Sequence, residues 1–79
     1  MKGGNIVREY LKRMREEKGL SAQDFAEKLD ISRQYYQMIE NGERQRRMDI
    51  TLIKGIADAL GVPLEQIANE ESKYSEAAV

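Results

Sequence analysis

Residues 20–42 read LSAQDFAEKLDISRQYYQMIENG, and this stretch decides the fold. Ala22, Phe25, Ala26 and Leu29 recur at i, i+3, i+4 and i+7, which lays one apolar stripe along a short helix. Ser21 stands where an N-cap is needed, its hydroxyl able to accept a first-turn N–H. Asp30-Ile31 breaks the run, Ser32 offers a second N-cap, and Asn41-Gly42 supplies a stop that tolerates left-handed backbone. The spacing predicts helices over 22–29 and 33–41 with a tight turn between them. On the second of these, Tyr36 and Ile39 mark the inward side. Arg33, Gln34, Gln37 and Asn41 share the opposite side at about 100° per residue. That polar face has no structural duty.

Outward from this core the chain continues as helices. Ile6, Val7, Tyr10, Leu11 and Met14 share one side of a first helix expected from about Asn5 to Lys18, stopped by Gly19. After the central pair comes Glu43-Arg44-Gln45-Arg46-Arg47, a polar connection rich in arginine. Asp49 reads as the N-cap of a fourth helix carrying Ile53, Ile56, Ala57 and Leu60, ended by Gly61. Pro63 suits the first turn of a fifth, with Leu64, Ile67 and Ala68 as its apolar side. From about Glu70 the sequence is polar and unpunctuated, so residues 70–79 are expected to form a tail that frays unless it docks, beside a domain at 5–69. No strand pattern and no internal repeat is visible.

Composition narrows the function classes. Seventy-nine residues make one small domain, and the absence of Cys and His removes disulfides, thiolate metal sites and imidazole chemistry. No metal or other cofactor is expected. The longest apolar runs are a few residues, so no signal peptide or membrane span is read and a cytoplasmic location is expected. Net charge is −1, but residues 1–48 hold 11 Lys/Arg against 8 Asp/Glu, whereas residues 49–79 hold 2 against 6. A nucleic-acid face needs a local basic patch rather than a basic protein. The plain alternative is that these charges only solvate helix surfaces.

Two short helices joined by three or four residues form a helix-turn-helix unit, whose second helix can lie in the major groove of double-stranded DNA. Leu20-Ser21, Leu29-x-Ile31-Ser32, Ile39-Glu40-Asn41-Gly42 and Ile56-Ala57-x-x-Leu60-Gly61-Val62 are spaced as in the Cro/repressor (Xre-type) helix-turn-helix family, and residues 6–69 resemble it. The resemblance implies an all-α, compact five-helix, lambda-repressor-like domain that binds operator DNA as a symmetric homodimer. It also implies roles. Ser32, Arg33, Gln34 and Gln37 would read bases, and the chemistry agrees: Arg pairs bidentately with guanine and Gln with adenine, each worth roughly 1–3 kcal/mol of discrimination. Arg44, Arg46 and Arg47 fall where the family's loop meets the sugar-phosphate backbone, with Ser21, Gln23 and Asn41 as further backbone candidates. Arg15 and Glu40 match a structural ion pair between the first and third helices.

The chain also departs from the family pattern. Ala22 replaces the usual Gln whose amide clamps a phosphate, and Gln23 points about 100° away from that place. Asp30 replaces the usual turn Gly. Tyr36 occupies a core position normally aliphatic, and Tyr35 either packs on the rim or offers its hydroxyl to a phosphate.

The same residues bear on other functional classes. Without His or Cys, no carboxylate, Lys, Ser or Tyr pair stands in a recognisable catalytic arrangement, and Gly3-Gly4 lacks the context of a phosphate loop, so an enzyme is not expected. The competing reading is an antitoxin-like or accessory module that holds a protein partner through the acidic C-terminal half. Leu64, Ile67 and Tyr74 near the C-terminus suit a dimer interface and closure of the core equally well.

Overall fold

The computed structural model describes residues 6–78, with the backbone alone of Ala78. Five helices follow in order: α1 (Glu9–Glu17), α2 (Ala22–Leu29), α3 (Arg33–Glu40), α4 (Ile50–Leu60) and α5 (Leu64–Ala78). No strand occurs among the described residues. The all-α, five-helix architecture is the one the pattern predicts.

The central helices are fixed by local chemistry. Ser21 and Asp24 form a reciprocal capping box on α2, Ser32 Oγ accepts the Tyr35 N–H at 3.0 Å on α3, and Asp49 Oδ1 accepts the Leu52 N–H at 2.8 Å on α4. Asp30 adopts left-handed backbone at φ 60°, ψ 42°, where its short polar side chain is tolerated. Ile31 alone then separates this left-handed residue from Ser32, which caps the next helix. Tyr10, Leu11, Phe25, Ala26, Tyr36, Ile39, Ile56, Ala57, Leu60 and Ile67 form the buried core. Within it, Phe25 meets Tyr36 edge to face with centroids 5.1 Å apart, so the aromatic at 36 replaces an aliphatic without losing packing.

Both ends of the chain differ from expectation. The first helix begins at Glu9, not near Asn5, which lies outside the described residues. Ile6 and Val7 continue the apolar spacing, yet they precede the helix and are 41% and 36% exposed. The cause is Arg8: its N–H donates to the Glu40 carbonyl at 2.8 Å, which holds this non-helical segment against the end of α3. At the other end the expected tail is helical, because α5 runs without a break from Leu64 to Ala78. Ile67, Glu71 and Tyr74 are all buried at i, i+4 and i+7, and burial of that stripe offsets the fraying its polar sequence implies. Ile67 and Tyr74 therefore close the core, whereas Leu64 is 38% exposed.

Candidate nucleic-acid interface

The inner side of α3 is completely enclosed, with Tyr36 and Ile39 at zero exposure, so its outer side has a fixed orientation. Arg33, Gln34 and Gln37 are exposed there, and their side chains make no hydrogen bond or ion pair among the described residues. Ser32, at the head of the same face, holds the helix cap with its hydroxyl oxygen, which leaves the hydroxyl proton to donate outward. Asn41 is exposed at the other end, as the C-cap.

The three loop arginines do not fall together. Arg44 borders a shallow groove of about 310 Å³ with Ser32, Gln34, Tyr35 and Met38, directly beside the polar face. Arg47 borders a different groove with Met48, Ile53, Glu71 and Ser72, on the α5 side. Arg46 is exposed between them. Among the α2 candidates, Ser21 is exposed at the helix start, but the Gln23 amide donates to Glu27 Oε2 at 2.8 Å along its own helix. Tyr35 is half-buried, its hydroxyl accepting from Gln45 Nε2 at 2.9 Å.

Two polar triads support this surface from below. In the first, Arg15 Nε donates to Glu40 Oε2 at 3.0 Å and Arg15 Nη2 to Oε1 at 3.3 Å, while Tyr36 donates its hydroxyl to Oε2 at 2.5 Å. Arg15 Nη1 also donates to the Leu20 carbonyl at 2.8 Å. The bond to Glu40 raises the Arg15 pKa, and burial followed by the Glu40 bond raises that of Tyr36. Arg15 therefore fastens the end of α1 and the end of the α1–α2 turn to the last residue of α3.

The second triad escaped the sequence reading. Arg8 has no exposed surface at all. Its Nε donates to Glu71 Oε2 at 2.7 Å, and Tyr10 donates its hydroxyl to the same oxygen at 2.5 Å. Arg8 also reaches the carbonyls of Ile39, Arg44 and Gln45, and lies 4.4 Å from the centre of the Tyr74 ring. Burial first, then the Glu71 bond, raises the Tyr10 pKa. The one available signal was the stripe Ile67, Glu71, Tyr74. A charge in its middle disguised it as surface.

Beyond this surface the described residues hold no group of His, Cys, Asp or Glu placed to bind a metal ion, and no helix long and apolar enough to cross a membrane.

Comparison with known proteins agrees with this geometry. The family model described as Helix-turn-helix matches residues 11–67. An uncharacterized HTH-type transcriptional regulator, YqaF, of Bacillus subtilis (strain 168) is 35% identical over 74 residues, spanning 89% of this chain and 95% of the relative. The control protein C.MunI of Mycoplasma sp is 36% identical over 64 residues, spanning 80% of this chain and 84% of the relative. No solved structure matches the chain at a significant level. A match over the whole helix-turn-helix core, together with two relatives aligned over most of their length, shows that the chain belongs to the Cro/repressor (Xre-type) helix-turn-helix family of DNA-binding transcriptional regulators.

Proposed function

We propose that the chain binds a near-palindromic operator as a homodimer, with α3 of each protomer in the major groove of one half-site. The carrying observation is the uncommitted face of Arg33, Gln34 and Gln37 on a helix whose opposite side is locked into the core. In this reading Arg33 pairs with guanine, Gln34 and Gln37 with adenine, and Ser32 donates at the helix start. Ser21, Asn41, Arg44, Arg46 and Arg47 meet phosphates and set register without reading sequence, and Gln23 joins them only by releasing Glu27. One protomer offers few base contacts. A dimer doubles them, with half-sites about one helical turn, ~34 Å, apart. The control-protein relative supports a small regulator of the restriction-controller kind, and phage and mobile-element regulators are built on the same plan.

Selection from a random duplex library near physiological salt tests this, run beside the triple variant Arg33→Ala/Gln34→Ala/Gln37→Ala. A symmetric motif enriched by the wild type and lost in the folded variant is the expected result. A folded wild type that enriches no motif refutes it and favours a module that holds a protein partner.

A further inference from the structure

We infer that Glu71, acting through Arg8, is a positioning residue for the arginine-bearing loop 43–47, and so links the C-terminal half of α5 to the DNA face. The inference rests on the DNA-binding reading above. Its basis is the donor geometry of one side chain. A guanidinium has five N–H donors in a rigid plane. Here Nε and Nη2 go to the Glu71 carboxylate, at 2.7 and 3.2 Å. Nη1 goes to the Ile39 carbonyl at 2.5 Å and, more weakly, to the Arg44 carbonyl at 3.4 Å, and Nη2 also reaches the Gln45 carbonyl. All five directions are used, and three of them hold backbone at the end of α3 or in the loop.

The loop needs such a hold. Gln45 has φ 55°, a left-handed conformation that a side-chain-bearing residue does not keep unaided. That conformation turns its carbonyl toward Arg8 and its side-chain amide toward the Tyr35 hydroxyl on α3. Gln45 is thus gripped from both sides, and its neighbours Arg44 and Arg46 project from a defined backbone. Glu71 fixes the orientation of the plane that does the gripping. Among the described residues it is also the only carboxylate within ion-pair distance of this fully buried cation, so neutralising it leaves the guanidinium uncompensated and free to swing from its carbonyls.

The test uses the full chain with Glu71→Gln, compared by backbone ¹⁵N relaxation without DNA and by duplex affinity across a salt series. Order parameters at 44–47 are expected to fall from rigid values near ~0.85 to below ~0.6, while α2 and the first turn of α3 keep theirs. Affinity for a duplex the wild type binds is expected to drop about tenfold. The salt slope should flatten by about one unit for each loop arginine that leaves its phosphate. The double variant Arg8→Met/Glu71→Met covers the case in which Glu71→Gln fails to fold, since an apolar pair of similar volume keeps the bundle but not the grip. It should show the same mobile loop and the same flattened slope. A folded variant with a rigid loop, or with unchanged affinity and slope, overturns the inference, as does loosening spread evenly over the whole domain. A wild type that binds no duplex instead overturns the DNA-binding reading, and the DNA role of Glu71 falls with it.

Discussion

Gly42→Ala puts the non-helical segment before α1 to the test. Gly42 has φ 81°, and a methyl group added there would lie 2.2 Å from the Ile6 carbonyl oxygen and 2.6 Å from the Tyr74 hydroxyl. Those two atoms are hydrogen-bonded to each other at 2.6 Å, so relief of the clash must separate them or lift the segment. The left-handed backbone alone costs an alanine about 1 kcal/mol. Loss of the Tyr74 bond and residual crowding bring the total to about 3 kcal/mol. Gly19→Ala is the natural control, because Gly19 has φ 71° with nothing within 4 Å of the added methyl. Both substitutions gain equally from a stiffer unfolded chain, so that term cancels in the difference. The difference is then about 2 kcal/mol, or a gap of roughly 8–16 °C in Tm for a domain of this size. Thermal and urea unfolding of the two variants side by side reads it, with the urea slope expected to stay constant. Combining Gly42→Ala with Tyr74→Phe should cost less than the sum, since each removes the same bond. Equal costs for Gly42→Ala and Gly19→Ala would refute the reasoning, for the Ile6 segment would then not be fixed over Gly42.

Arg15→Ala should destabilise the fold by roughly 3–5 kcal/mol, because it strands a buried Glu40 carboxylate, and should weaken DNA binding as well; an unchanged unfolding midpoint would show that the pair does not hold α1 to α3. Gln34→Ala should relax preference at one operator position and leave non-specific affinity nearly intact, read by competition among single-base operator variants; equal loss on every sequence contradicts base reading. Stability should decline as pH rises above about 10, since the Tyr10 and Tyr36 pKa values are raised in the folded state and their unfolded phenols ionise first. Urea midpoints measured against pH check this, and Tyr36→Phe should flatten the alkaline decline.

How much of this was legible in the sequence follows from the range of each interaction. The caps at Ser21, Ser32 and Asp49 act on N–H groups three residues away, so spacing alone reveals them. The left-handed turn at Asp30 is equally local. The α3 face was readable because Tyr36 and Ile39 fix its inner side by periodicity. Arg8 and Glu71 were not readable, since they sit 63 residues apart and each alone looks like a solvated surface charge. Their burial accounts for both ends at once: Arg8 delays the start of α1, and Glu71 completes the stripe that docks the tail as the continuation of α5.

The same pairs revise what the charge asymmetry means. Of the basic residues before Asp49, Arg8 and Arg15 are buried against Glu71 and Glu40 and are withdrawn from any DNA surface. Of the six acids from Asp49 onward, Asp49 caps α4, Asp58 pairs with Lys54 at 3.1 Å and Glu71 holds Arg8, leaving Glu65, Glu70 and Glu76 along α5. The acidic half is therefore less of a partner surface than its composition implies. On the basic side, Arg33, Arg44, Arg46 and Arg47 are the arginines placed on α3 and its loop, and even if all four met phosphates the salt slope from them would not exceed about 3.6 per protomer. So small an electrostatic contribution gives weak, unselective binding by itself. In the proposed reading, affinity for one site comes from the Arg33, Gln34 and Gln37 face and from pairing two copies of it, and for that the orientation of α3 matters more than net charge. Two Arg–Glu–Tyr triads secure that orientation, one at each end of α1 and both meeting the C-terminal end of α3.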